Sequence, residues 1–281
     1  MMETKGTHGT TPGGTGYTVY DDLAYVPDAE ELQKLDFYVP DGKTPAGGWP
    51  LVAYAHPGGF TAGDKADARM GSGFALLALD HGFALASVNY RLPGNQAEHI
   101  AMELADVQAA LRWIVSRAGA LGVDPTKLAC AGVSAGGALV SAAAVRAKRL
   151  GEPQVFAVVS AVSPYDITKA TDYIDKDTPP FFMIHGNADR IVDFSQAEAF
   201  AAALAAADIP HVLVTVGDAA HPVDHFDVLN VYNEQGKLSD PFVWLREQLA
   251  GGTADRRVTE RRAGDRRAAD RRVSERRGAG G

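Results

Sequence analysis

The feature that most limits how this chain can fold is a short run, KLACAGV (127–133). It breaks at once into SAGGA and then into a small-residue stretch reaching Leu150. Seven mostly apolar residues bounded by turn-forming Asp-Pro and by glycines read as a strand buried on both faces, and the alanine-rich stretch after it reads as a helix. Between them stands Ser134, with Gly132 two residues before it and Gly136 two residues after it. The pattern Gly-x-Ser-x-Gly at a strand-to-helix turn has two physical accounts. The serine caps the helix through its hydroxyl, or a strained turn lifts that hydroxyl above the sheet as a nucleophile, with the helix N-terminus directed at it.

The same strand-helix alternation runs through the chain. Residues 33–40, 50–55 and 83–90 have strand character, and 66–81 carries apolar residues at helical spacing. Residues 97–118 place Ile100, Leu104, Val107, Leu111, Ile114 and Val115 on one helical face. Further strands are expected at 155–162, 181–185 and 211–216, with helices at 195–207 and 241–250. Alternation of this kind predicts an α/β fold. Its central sheet is mainly parallel, helices cover both faces, and the early hairpin-like strands form an antiparallel edge. One domain accounts for residues 17–250. Residues 1–16 are Gly/Thr-rich without periodicity and are expected to be a disordered arm. From Gly251 onward Arg-Arg recurs every five residues, each pair preceded by Asp or Glu. That step spreads the arginines around any helix, so residues 251–281 are expected to be an Arg-rich, low-complexity, disordered tail.

Composition excludes several classes. The chain has 281 residues, a net charge of -8 and one cysteine, Cys130, so an internal disulfide framework is ruled out. The N-terminus lacks a basic start and an apolar core, and no stretch is long enough to span a bilayer. A cytoplasmic protein without a membrane span is expected. The tail holds ten arginines against five acids, so the body is more acidic than the whole chain. Each Arg pair carries its own acid, and no nucleic-acid partner is expected. The histidines do not recur at helical metal-ligand spacing and no carboxylate cluster accompanies them. Neither a metal nor an organic cofactor is expected. Cys130, within the strand before Ser134, reads as a core residue.

Three other segments carry chemistry. His56-Pro57-Gly58-Gly59-Phe60 follows the strand at 50–55, and a glycine pair lets main-chain N–H groups approach an oxyanion. His185-Gly186-Asn187-Ala188-Asp189-Arg190-Ile191-Val192 follows the strand at 181–185, and Asp218-Ala219-Ala220-His221 follows that at 211–216. With these residues in view, the chain resembles the α/β-hydrolase superfamily, in its esterase and lipase branch with an HGGGF-type oxyanion loop. Asn89-Tyr90-Arg91-Leu92 is similar to that branch's D-Y-R-L segment. Pro57 stands where the branch usually has glycine, but the two later glycines remain. The resemblance spans about residues 33–250.

The resemblance implies an α/β-hydrolase fold, and the short stretch between 162 and 181 leaves no room for a large cap domain. It implies Ser134 as nucleophile, Asp189 as the acid and His221 as the base, with His225 as the alternative base. It places the N–H groups of Gly58, Gly59 and Ala135 in the oxyanion hole. The order Ser, Asp, His along the chain is that of this fold. Asp166 and Asp193 are rivals to Asp189, while His185 and His211 read as structural. Phe60, Tyr90 and Tyr165 are candidates to line the substrate site. The implied activity is that of a serine carboxylesterase acting on short-acyl esters, small or borne on a polymer, through an acyl-enzyme. Bulky aryl or sugar alcohols would fit an open site. A peptidase or amidase would use the same triad, and a binding protein on the same scaffold would not need it.

Overall fold

Two strands, β4 (Trp49–Ala55) and β6 (Val123–Val133), lie side by side in the middle of the sheet because each is apolar on both faces. The computed structural model describes residues 6–70, 74–93, 97–216 and 240–251. The other strands are β1 (Thr7–Thr10), β2 (Gly16–Ala24), β3 (Lys34–Pro40), β5 (Ala84–Val88), β7 (Val158–Ala161), β8 (Phe181–Gly186) and β9 (His211–Val216). Their order across the sheet is β1-β2-β3-β5-β4-β6-β7-β8-β9. The pairs from β5 to β9 are parallel, and those among β1, β2, β3 and β5 are antiparallel. An α/β architecture with an antiparallel edge is therefore what the chain adopts.

Alternation along the strands divides the core into two layers. On one face Leu51, Ala53 and Cys130 pack with Val107, Leu111 and Ile114 of α3 (Ala97–Leu121), Leu139 of α4 (Ala135–Leu150) and Phe200 of α6 (Ser195–Ala206). On the other, Val52, Tyr54, Ala129 and Ala131 pack with Leu79 of α2 (Phe74–Asp80), which follows α1 (Asp67–Met70), and with Phe242 and Leu245 of α7 (Pro241–Leu249). Helix α4 is buried almost all round, which its alanines and glycines permit by letting neighbouring backbones approach. Between β7 and β8 the chain makes only α5 (Tyr165–Thr168) and a 3-10 turn (Ala170–Tyr173), so no cap domain stands there.

Two expectations need correction. The arm at 1–16 is not structureless where it is described: Thr7–Thr10 forms β1 and pairs with β2. An edge strand is held by its ladder rather than by burial, so its exposed Gly/Thr sequence carries no apolar alternation to read. The strand expected at 155–162 is shorter, Val158–Ala161. Residues 252–281, with the Arg pairs, lie outside the described residues.

The segment after β5 is tied to α3 by Asp106. Its carboxylate accepts from Arg91 Nε at 2.8 Å, from the second guanidinium arm at 2.8 Å and from Gln33 Nε2 at 2.9 Å. One turn earlier on α3, Glu103 is fully buried, and neither carboxyl oxygen has a hydrogen-bond partner. Burial, with Asp106 adding to it, pushes Glu103 up to about 8. In the unfolded chain the same carboxyl ionises near pH 4.3. The folded state thus holds the extra proton between these limits, and its stability is full below the lower one and declines as pH rises toward 8. Chemical denaturation across pH 5 to 8.5 should show that decline, amounting to at most about 5 kcal/mol. Glu103→Gln should flatten it, and an unchanged slope in the variant would locate the dependence elsewhere.

Candidate functional site

At the end of β6 the backbone turns at Ser134, whose φ of 50° and ψ of -119° lie outside the regions an L-residue prefers. Such a conformation stores roughly 1–3 kcal/mol of strain, held here by the surrounding hydrogen bonds. Ser134 N donates to Ala161 O at 2.8 Å, and Ser134 O accepts from Ala138 N at 3.0 Å. Its side chain makes no capping bond to α4, which removes the helix-cap account of this serine. The flanking glycines are needed for space. A Cβ at Gly132 would stand 2.6 Å from Gly136 C and Gly137 N, and one at Gly136 would run into the carbonyls of Ala55 and His56.

Those carbonyls belong to the end of β4 and to the loop that follows. Gly58, Gly59 and Phe60 all have positive φ, at 138°, 60° and 64°. The turn closes with Thr61 N and Ala62 N donating to Gly58 O at 3.1 and 3.0 Å. A Cβ at Gly58 would collide with Ala62 O, so only glycine fits there. His56 anchors the loop from beneath. Its ring stacks on Tyr90 with centroids 4.3 Å apart, and its Nδ1 lies 2.8 Å from Pro57 O. Burial holds this imidazole below its ordinary range, so it is neutral, with the proton on the nitrogen that faces the carbonyl. Tyr90 in turn donates its hydroxyl to His56 O at 2.7 Å.

A pocket of about 380 Å³ opens where these loops meet, lined by Gly58, Gly59, Gly63 and Ser134 together with Asp67 and Ile191. Ser134 and the two loop glycines are thus brought to one cavity, and Ala135 starts α4 directly behind the serine. The three aromatic candidates are not in the lining. Phe60, Tyr90 and Tyr165 are 4%, 0% and 1% exposed and face the core. Tyr165 stacks on Phe200 with centroids 4.1 Å apart and donates to Ser160 Oγ at 3.0 Å, supporting the floor beside α4. None of the three lines the described part of this pocket, and their rings pack behind the loops. Asp67 and Ile191 went unnoticed in the sequence, although Ile191 is an apolar residue stranded in a polar loop. Its side chain is 70% exposed.

The loop after β8 folds around Asp189, whose side chain is fully buried. Its Oδ1 accepts from Ile191 N at 2.8 Å and from Val192 N at 2.9 Å, and its Oδ2 lies 3.2 Å from His185 Nε2. His185 is itself buried and also approaches Val192 O at 3.0 Å, a structural placement. The other two candidate acids lie at the surface. Asp193 is exposed and accepts from Ser195 N at 2.8 Å, and its hydrogen bonds to Ser195 hold it below the ordinary carboxylate range. Asp166 is exposed on α5. His211 opens β9 with Nδ1 2.8 Å from Ile209 O. His221 and His225 both lie outside the described residues.

Cys130 is fully buried and desolvation pushes its thiol up to about 12, which makes it a packing residue. Among the described residues no group of three or more His, Cys, Asp or Glu side chains could hold a metal ion, and no helix is long and apolar enough to cross a membrane.

Comparison with known proteins places these features in context. The BD-FAE family model matches residues 35–169, and the prolyl oligopeptidase family model matches residues 146–251. Esterase LipI of Mycobacterium tuberculosis is 36% identical over 106 residues, covering 38% of this chain and 32% of the relative. Carboxylesterase NlhH of the same organism is 36% identical over 108 residues, covering 37% and 31%. The matches thus span about a third of these relatives. Among solved structures, a truncated carbohydrate esterase from gut microbiota aligns with a TM-score of 0.69 at 22% identity, over 83% of this chain and 96% of that one. An esterase of Thermogutta terrifontis aligns with a TM-score of 0.61 at 22% identity, over 77% and 90%.

Proposed function

Because the chain is an α/β hydrolase by fold, we propose that it is a serine carboxylesterase with Ser134 as nucleophile, Asp189 as acid and His221, or His225 in its place, as base. The observation that carries this reading is the backbone of Ser134. A serine held at positive φ between a strand and a helix, not capping that helix and opening on a pocket shared with a glycine turn, has no packing explanation. Strain of this kind persists where it positions a reacting group.

The reaction runs in two halves. The base takes the Ser134 proton as Oγ bonds to the ester carbonyl carbon, and the oxygen of the tetrahedral adduct sits against the N–H groups of Gly58, Gly59 and Ala135. Each such donor contributes about 3–4 kcal/mol to the transition state in comparable sites. Collapse expels the alcohol, which receives the proton from the histidine. Water, deprotonated by the same histidine, then attacks the acyl-enzyme and releases the carboxylic acid, restoring Ser134. The described segment between β7 and β8 forms no cap domain, which supports the reading of an open site suited to short acyl groups on small or polymer-borne alcohols.

A second reading, cleavage of amides, is favoured by the match of residues 146–251 to the prolyl oligopeptidase family. Turnover of p-nitrophenyl acetate and butyrate, set against the matched p-nitroanilides, separates the two. The esterase predicts rapid ester and negligible anilide turnover, and comparable rates on both would favour the amidase. His221→Ala and His225→Ala in the same assay name the base, since only its loss should lower kcat by about 10³-fold or more. A steep preference for long-chain triglycerides would overturn the open-site reading.

A further inference from the structure

The pocket over Ser134 holds one charged side chain among its described lining residues, Asp67, and nothing in the proposed hydrolysis uses it. Its Oδ2 accepts from Asp64 N at 3.2 Å, which fixes the carboxylate on the segment that continues from the oxyanion turn. Asp64 is itself braced, accepting from Ala66 N at 2.8 Å and from Asn89 Nδ2 at 2.9 Å. Lys65, two residues before Asp67, is paired elsewhere. Its ammonium lies 2.8 Å from Asp22 and 3.1 Å from Asp36, and its backbone is held by Asn89 and Ser87. The His56 imidazole beneath the loop is neutral because it is buried. Among the described residues no cation pairs with Asp67. A largely exposed aliphatic side chain, Ile191, lines the same pocket.

A cavity with one carboxylate and one aliphatic surface is complementary to a group that donates hydrogen bonds while presenting carbon to Ile191. A short acyl group fills only part of about 380 Å³, so the rest accommodates the alcohol portion of the ester. On the premise that Ser134 is the esterase nucleophile, we propose that Asp67 is a specificity-determining residue for the leaving alcohol. It selects esters whose alcohol carries hydroxyl or ammonium donors and rejects those bearing an anion. The acidic body of the protein acts in the same direction at longer range.

Four acetate esters test this by kcat/KM in a pH-stat: 2,3-dihydroxypropyl acetate, propyl acetate, acetylcholine and 2-sulfoethyl acetate. The wild type should prefer the dihydroxypropyl ester to propyl acetate and disfavour the sulfoethyl ester by about tenfold or more, the latter less so at high salt. Acetylcholine, whose quaternary nitrogen carries charge but no N–H donor, should exceed propyl acetate in the wild type and lose that advantage in Asp67→Asn, and an advantage unchanged in the variant counts against Asp67. In Asp67→Asn the sulfoethyl-to-propyl ratio should rise about tenfold. Because the readout is a ratio within one protein, partial loss of folded variant does not affect it. Equal turnover of sulfoethyl and propyl acetates by the wild type, or a variant that changes all four esters by one common factor, overturns the role of Asp67. No turnover of any ester by the wild type overturns the esterase reading instead.

Discussion

Ser134→Ala is expected to lower kcat on p-nitrophenyl acetate by roughly 10⁴- to 10⁶-fold while leaving the fold intact. The hydroxyl is removed from a side chain that does not cap α4, and the backbone bonds to Ala161 and Ala138 are retained. Circular dichroism and the thermal midpoint should therefore stay near wild type as activity disappears. The strain argument adds a second readout. Alanine keeps a Cβ at φ 50°, whereas Ser134→Gly relieves it, since glycine enters this region freely. The glycine variant should be as inactive as the alanine variant, yet more stable than it by about 1 kcal/mol. Wild-type turnover in Ser134→Ala would remove the nucleophile and reduce the glycine-flanked serine to a turn.

Asp189→Asn is the second large effect, an expected fall in kcat of about 10⁴-fold. The size follows from what the acid does in such a triad: it holds the base in one tautomer and stabilises the imidazolium that forms. Asparagine preserves an acceptor for Ile191 N and Val192 N, so the loop should keep its shape. Its amide supplies a donor where the carboxylate had a second acceptor and a charge. The measurement is kcat with the thermal midpoint, alongside Asp193→Asn and Asp166→Asn. The last two change exposed residues, one just before α6 and the other on α5, and should leave kcat within about twofold. A 10⁴-fold loss in either, with Asp189→Asn active, would reassign the acid.

What could be read from the chain alone was governed by short-range constraint. The turn at Gly132, Ser134 and Gly136 is legible because its sterics involve backbone only a few residues away, or the strand that must lie beside it. The apolar runs of β4, β6 and β8 announce a parallel sheet because both faces are buried and alternation vanishes. Asp189 was legible as a candidate acid, an aspartate at fixed distance after a strand, and the structure buries its side chain while Asp166 and Asp193 are exposed.

Tertiary structure decided what depends on which side of a backbone faces the solvent. Phe60, Tyr90 and Tyr165 lie next to the candidate motifs in sequence, yet the positive φ of the 58–60 turn and the stacking on His56 and Phe200 place their rings behind the loops. Asp67 and Ile191 have no motif of their own and come to the pocket only because loops after β4 and β8 converge above β6. Strand β1 was unreadable because an edge strand is held by main-chain hydrogen bonds to β2, which leave no mark on side-chain pattern. The sequence by itself determined the order of elements and the turn that carries the serine, since local backbone sterics and burial periodicity are written residue by residue. Only the tertiary structure decided which side chains line the cavity, because that depends on contacts between segments far apart in the chain.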